Sequence, residues 1–262
     1  MIHTMSILAV ESITVNFEAL RALSNVSFSV EEGSITSLVG PNGAGKTTVF
    51  NVISGLIRPS AGKIRFEGRR IDRLEPHEVA RAGIGRTFQD PRVFKGMSVL
   101  GNAMVGARLR ASRPLYALLR DRTTREEWKN AHERACQLLA DLGLGERLGE
   151  DVESLSFPEQ RFLSLARTLC SEPKVLLLDE PTVGLDRRAI AWFIRRLREL
   201  IARTGITVLL IEHNMDVVMG ISDQVHLMVQ GEVVASGTTA DIRKHEKMIE
   251  AYLGDRYVAA GA

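Results

Sequence analysis

The sequence predicts an α/β fold built on a phosphate-binding P-loop: a mixed core sheet flanked by helices, an N-terminal antiparallel β-subdomain and an inserted helical subdomain. Three observations predict it. The stretch Gly40-Pro41-Asn42-Gly43-Ala44-Gly45-Lys46-Thr47-Thr48 fills every fixed position of G-x-x-x-x-G-K-[ST]. It lies between a short buried strand, residues 35–39, and a helix over residues 47–56 closed by Gly55 and Pro59. After residue 171, all-apolar strands alternate with helices, the pattern of a largely parallel sheet.

Taken in order, residues 6–10, 13–17 and 26–30 read as short alternating strands ahead of strand 35–39, and Glu31-Glu32-Gly33 as a turn. Residues 64–67 followed by Gly68 add a strand to the same antiparallel group. Residues 76–82 form a short helix, with Pro76 in its first turn and Gly83 as its stop. Residues 92–170 change character. Residues 92–119 are mixed and interrupted by Pro114. Thr124-Arg125-Glu126-Glu127 reads as a capping box opening a helix whose stripe is Trp128, Ala131, Ala135, Leu138, Leu139 and Leu142, ended by Gly143 and Gly145. That stripe is core packing rather than a cofactor box. Leu155-Ser156-Phe157-Pro158-Glu159-Gln160-Arg161 opens a further helix to about Cys170.

The apolar run 175–178 is a buried strand that delivers Asp179-Glu180 at its C-terminal end, where ligands gather in open α/β sheets. A helix over 188–202 leads to strand 207–211, which delivers Glu212-His213. Residues 225–235 read as a hairpin turning at Gly231, residues 239–253 as a final helix, and 257–262 as a loose tail. The organisation expected is a single domain over 1–262, with core and β-subdomain at 6–91 and 171–262 and the helical subdomain at 92–170.

Composition sets the outer limits. The 262 residues are 45% hydrophobic and 25% charged, with net charge +2, which is ordinary for a globular chain and no argument for nucleic acid. Arginines cluster at 108–125 and 187–198, where solvated helix faces are the simpler reading. Cys136 and Cys170 belong to no CxxC pair, which suits a reducing compartment and argues against zinc. No signal peptide is visible over residues 1–10, and the longest apolar runs are far too short to span a bilayer. A membrane role would come through a partner.

The chemistry follows from residue types at fixed spacing. Gly40, Gly43 and Gly45 let successive backbone N–H groups turn inward, and the helix N-terminus adds its positive end. Lys46 supplies a point charge for the β- and γ-phosphates, and the Thr47 hydroxyl a ligand for Mg²⁺. Asp179 would hold Mg²⁺, directly or through water, and Glu180 would polarise the attacking water. His213 is placed to meet the γ-phosphate, or is a histidine satisfied by backbone. Phe17 fits an adenine-stacking ring and a core phenylalanine equally.

These motifs together resemble the ATP-binding cassette of ABC transporters along nearly the whole chain. The resemblance implies Phe17 as the adenine-stacking aromatic, Gly40 to Thr48 as the P-loop, and Gln89 in Gly85-Arg86-Thr87-Phe88-Gln89 as the residue that contacts Mg²⁺ and the attacking water and links the site to the membrane partner. It further implies Leu155 to Gln160 as the signature, with Ser156, Phe157, Pro158, Glu159 and Gln160 at the trans ATP site. It implies Val175 to Glu180 as the Walker B strand, Gly184-Leu185-Asp186 as the D-loop, and His213 as the switch histidine. The cofactors implied are ATP and Mg²⁺. The partners implied are integral membrane permeases, a second cassette (the same or a related chain) and, indirectly, a periplasmic or surface substrate-binding protein. The place implied is the cytoplasmic face of the plasma membrane, with docking through residues 86–130.

Within that family the chain looks most like the ATPase subunits of branched-chain amino-acid importers. The likeness lies in Val49-Phe50-Asn51 after the P-loop, the insertion near 108–130, Ile211-Glu212-His213-Asn214-Met215, Val218 to Asp223, and Ile249-Glu250-Ala251-Tyr252-Leu253-Gly254. Urea and short-chain amide uptake, or a non-transport ATPase of the same family, are the alternatives. A guanine-reading Asn-Lys-x-Asp is absent, which excludes a GTPase switch. One position departs from the family: Pro158 stands where the signature has a glycine whose N–H faces the partner's γ-phosphate, and proline has no N–H. Ser156 and the helix start it caps are expected to go on attracting the phosphate.

Overall fold

Runs of alternating apolar residues at the N-terminus form one antiparallel sheet in the computed structural model, which describes residues 6–18, 20–107 and 122–245. Strand β1 (Ser6–Phe17) pairs with β2 (Leu20–Glu31) on one side. On the other side it pairs with β4 (Ala61–Phe66), and β5 (Arg69–Arg70) closes that edge. The segments expected at 6–10 and 13–17 are therefore a single strand. Ser12 has φ 52° and the register with β2 slips between Val10 and Ile13. This bulge adds one residue, so Leu8, Val10, Ile13 and Val15 all stay on the buried face despite the odd spacing. Residue 67, expected inside a strand, is in the turn: Glu67 and Gly68 both have positive φ, the conformation of a two-residue hairpin.

The second sheet has the strand order β10-β9-β3-β8-β7-β6. Its strands are β3 (Ile35–Val39), β6 (Ile84–Arg86), β7 (Val175–Asp179), β8 (Thr207–Ile211), β9 (Gln224–Val229) and β10 (Glu232–Gly237). All neighbours run parallel except the β9–β10 hairpin at the edge, which makes the sheet mixed as expected. Every residue of β3, β7 and β8 is buried, because both faces are covered. The two-residue period then splits the core in two. Leu177, Leu209 and Ile211 face the N-terminal sheet together with Phe50 and Ile53. Leu176, Leu178, Val208 and Leu210 face the helical layer.

The helices are α1 (Lys46–Ile53), α2 (Pro76–Ala82), α3 (Val99–Ala107), α4 (Arg122–Asp141), α5 (Phe157–Leu169), α6 (Arg187–Thr204), α7 (Met215–Ile221) and α8 (Thr239–Arg243). Helix α2 begins and ends where its proline and glycine place it. Helix α4 is already formed at Arg122, so Thr124 lies inside it rather than at its start, although the stripe from Ala135 to Leu142 is buried as expected. Helices α3 and α7 have no counterpart among the expected elements. Helix α8 stops at Arg243; the rest of the expected 239–253 helix, the tail, and residues 108–121 of the arginine-rich insertion lie outside the described residues. Helices α3 and α5 touch through Gly106, where an added Cβ would sit 1.7 Å from the Arg167 carbonyl oxygen.

Candidate nucleotide site

The parallel strands β3, β7 and β8 all end on one edge of the sheet, and the glycine loop, the Asp179-Glu180 pair and the His213 turn begin there. Strand β3 runs into the glycine loop. Gly40 has φ 149°, and a Cβ there would lie 2.1 Å from the Met228 carbonyl oxygen, so no larger residue fits. Gly45, also at positive φ, precedes α1 and leaves Lys46 and Thr47 as its first residues. The Lys46 ammonium donates to the Gly40 and Pro41 carbonyls at 2.7 and 2.9 Å. Burial lowers its pKa, and the charges of Glu180 and Asp179 oppose that shift. Thr47 is exposed and Thr48 half-buried.

Strand β7 delivers two carboxylates into different surroundings. Asp179 is buried, and burial raises its pKa, while the Arg86 guanidinium, 3.2 Å away, opposes the rise. Glu180 is half-buried and sits at φ 47°, a strained conformation for a residue with a side chain. Gln89 donates from its amide to Glu180. A cleft of about 590 Å³ is lined by Gly40, Pro41, Asn42, Glu180, Gly184, Leu185 and His213, among others. Loop start, carboxylate, D-loop and histidine thus share one cavity. The hard oxygen donors of Thr47, Asp179 and Gln89 fit Mg²⁺, which takes few protein ligands and relies on phosphate and water for the rest.

His213 is exposed, and its backbone N–H and that of Asn214 donate to Glu212 Oε1 at 3.2 Å. Glu212 has no solvent exposure, and its other oxygen accepts from the Thr182 hydroxyl at 2.8 Å. This carboxylate fixes the histidine turn to the loop that follows Glu180, a role sequence reading did not assign. Asp186 caps α6 by accepting from the Ala189 N–H at 2.8 Å. Phe17 is exposed at the end of β1 and does not line the cleft; its hairpin approaches the loop instead through Ala22 and Leu23, which lie against Gly45.

The signature stretch lies apart from that cleft. Ser156 is the N-cap of α5, Phe157 is exposed, and Pro158 and Glu159 occupy the first turn. Glu159 accepts from the Ser156 N–H at 2.8 Å and from its hydroxyl at 2.7 Å. The Arg147 guanidinium donates to the same carboxylate at 2.7 Å. Burial raises the Glu159 pKa, but these hydrogen bonds win and hold it below the usual glutamate range. The serine expected to attract phosphate is thus engaged by an anion of its own helix. Gln160 donates to the Leu155 carbonyl at 3.1 Å. One turn on, Arg161 stacks on Phe157 and donates to the Val183 carbonyl, tying the signature helix to the loop after Glu180. The roles of Arg86, Arg161 and Glu212 escaped sequence reading because each is tied to the site through a partner distant in the chain: Asp179, Val183 and Thr182 respectively. For Arg86 and Glu212 the available signal was a charged residue at the exit of a buried strand.

The comparisons agree with this geometry. The family model described as ABC transporter matches residues 23–183. The high-affinity branched-chain amino acid transport ATP-binding protein LivG of Salmonella typhimurium is 38% identical over 250 residues, covering 95% of this chain and 98% of that protein. BraF of Pseudomonas aeruginosa, with the corresponding description, is 38% identical with the same coverage. A crystal structure of the ADP conformation of an ATP-binding cassette of an ABC transporter superposes with a TM-score of 0.82 at 33% identity, over 96% of this chain and 100% of that one. With a P-loop, an Asp-Glu strand end and a histidine turn converging on one cleft, and with likeness running nearly end to end, this chain belongs to the ABC transporter family as an ATP-hydrolysing cassette.

Proposed function

We propose that the chain is the ATPase subunit that drives import of branched-chain amino acids through integral membrane permeases. The observation that carries the reading is the convergence of Lys46, Asp179 and Glu180 at one sheet edge, in a chain that matches LivG and BraF over almost its whole length. Lys46 and the loop N–H groups hold the phosphates. Thr47, Asp179 and Gln89 hold Mg²⁺, which when bound neutralises phosphate charge. Glu180 takes the proton of the attacking water, and Gln89 holds that carboxylate in place. His213, on a turn pinned by Glu212, meets the γ-phosphate side of the cleft. Phe17 borders the adenine from the neighbouring hairpin.

Two cassettes pair head to tail in this reading, the residues Ser156 to Gln160 of each facing the other's P-loop. Residues 92–170 work as a helical subdomain, and 86–130 dock on the permease, with a substrate-binding protein feeding the far side. Among the described residues no helix is long and apolar enough to cross a membrane, which suits peripheral attachment at the cytoplasmic face. The test is reconstitution in vesicles with candidate permeases and a substrate-binding protein. ATP-dependent uptake of leucine, isoleucine or valine is expected, and uptake of urea or short amides alone would replace the substrate assignment. Cysteine cross-links to the permease should map within residues 86–130, and links confined to 225–262 would move the docking surface.

A further inference from the structure

Arg86 is the last residue of β6, and its side chain is only 7% exposed. Its guanidinium lies between two rings, 5.6 Å from the centroid of Phe50 and 4.9 Å from that of Phe88. One terminal nitrogen donates to Asp179 Oδ2 at 3.2 Å. The other donates to Asn51 Oδ1 and to Ser54 Oγ, both at 2.8 Å. Asn51 lies in the last turn of α1 and Ser54 is its C-cap residue; the first residues of that helix are Lys46 and Thr47. The fork therefore spans from the phosphate-binding helix to the end of the carboxylate strand.

We propose that Arg86 is the positioning residue that orients the Asp179 carboxylate toward Mg²⁺ and locks it to the helix carrying Lys46 and Thr47. The proposal rests on the assignment of Asp179 to the metal. If Arg86 only neutralised a buried acid, one nitrogen would be enough. Instead, the other nitrogen of the planar fork donates to two groups at the C-terminal end of α1, and the two rings fix its plane. A shift of α1 therefore carries the carboxylate with it. The same strand exit reaches the second carboxylate three residues later, where Gln89 bonds Glu180 at 3.0 Å. Residues 86 to 89 thus set the direction of both β7 acids, one through a buried fork and one through an exposed amide. Lysine cannot replace the arginine, because a single ammonium on a flexible stem cannot span the three acceptors.

The experiment measures Mn²⁺ affinity by electron paramagnetic resonance on the full chain with a non-hydrolysable ATP analogue. Nucleotide affinity without metal is measured alongside. Partners that orient metal ligands are worth about 10–100-fold in metal affinity. Arg86→Met should weaken Mn²⁺ binding by about tenfold or more, with metal-free nucleotide affinity within about twofold of wild type. Arg86→Lys should recover only part of the loss. Ser54→Ala removes one anchor of the fork without touching a phosphate or carboxylate group, and should weaken Mn²⁺ by about threefold. Should Arg86→Met not fold, Ser54→Ala and Asn51→Ala decide the question. Asp179→Asn is the reference. If it weakens Mn²⁺ while the Arg86, Ser54 and Asn51 variants stay at wild-type affinity, the positioning role is overturned and the metal assignment stands. An unchanged Mn²⁺ affinity in Asp179→Asn overturns both. An equal fall of metal and metal-free nucleotide affinity in the Arg86 variants would make the residue a packing element only.

Discussion

Gln89 donates its side-chain amide to Glu180 Oε2 across 3.0 Å. A glutamine that touches the proposed base, on the segment joining core to helical layer, makes the base sensitive to how that segment sits. Glu180→Gln keeps size and a hydrogen-bonding oxygen for Gln89 but cannot accept a proton. Its ATPase rate should fall by about 10²-fold or more while ATP affinity holds, with the ATP-bound dimer accumulating. Phosphate release and light scattering check both parts, and near-normal turnover would remove Glu180 from the role.

Lys46→Ala should weaken ATP binding by about 10–100-fold, the worth of a hydrogen bond from a charged group, and abolish transport. The lysine also ties the loop carbonyls of Gly40 and Pro41, so a modest loss of thermal stability is expected with it. Calorimetric titration with ATP, and circular dichroism for the fold, test the pair; unchanged affinity and turnover would sink the reading of the loop.

Pro158 and Glu159 are expected to weaken the composite ATP site that this chain's signature completes. Pro158→Gly restores an N–H and should raise ATP-driven dimerisation and ATPase activity of the assembled transporter, by up to about tenfold. Since Glu159 holds the Ser156 hydroxyl and N–H, the double change with Glu159→Gln should gain more than Pro158→Gly alone. Unchanged or lower activity in both would make Pro158 a helix-starting residue and nothing more.

Gly106→Ala places a methyl group 1.7 Å from the Arg167 carbonyl oxygen. Helix α3 must then move off α5, and overpacking of this kind costs about 1–3 kcal/mol. Urea unfolding of the two proteins measures it, and a difference below about 0.5 kcal/mol would mean that the helices part at no cost.

His226 supplies an acid limit to stability. Its ring is buried against Phe28 with Nδ1 2.7 Å from Ser236 Oγ, and burial lowers its pKa. The unfolded chain, titrating near the ordinary value of about 6.5, binds the proton first. Stability is therefore full above that pH and falls as pH drops toward the lower folded value, by up to about 1.4 kcal/mol per pH unit. His226→Gln should flatten that slope in urea unfolding at pH 7.5, 6.5 and 5.5.

Strands β3, β7 and β8 are legible in the sequence because a strand buried on both faces is an uninterrupted apolar run, and the P-loop is legible because its glycines are fixed by phosphate geometry. Helix α3 is not, since Gly101 and Gly106 weaken the local signal and contact with α5 decides the outcome. Helix α7 rests on one cap, Asn214 accepting from the Asp216 N–H, and is only seven residues long. The bulge at Ser12 reads as a strand break because periodicity counts residues, whereas the sheet counts faces. Thr124 to Glu127 has the letters of a capping box, but the helix around it had already begun. In the site, the pairings that matter join stretches tens of residues apart: Arg86 with Asp179, and Thr182 with Glu212.

The place of β3 between β8 and β9 also sets when this protein can first work. The Ile35 N–H donates to the Asp223 carboxylate, 188 residues further along, and the strand's other neighbours begin at Thr207. At ordinary synthesis rates that interval lasts about 10–40 s. During it the glycine loop has left the ribosome without the sheet that gives it shape, and its apolar strand is open to wrong pairings. A nucleotide that binds the assembled sheet and not the open chain then stabilises the folded state by mass action.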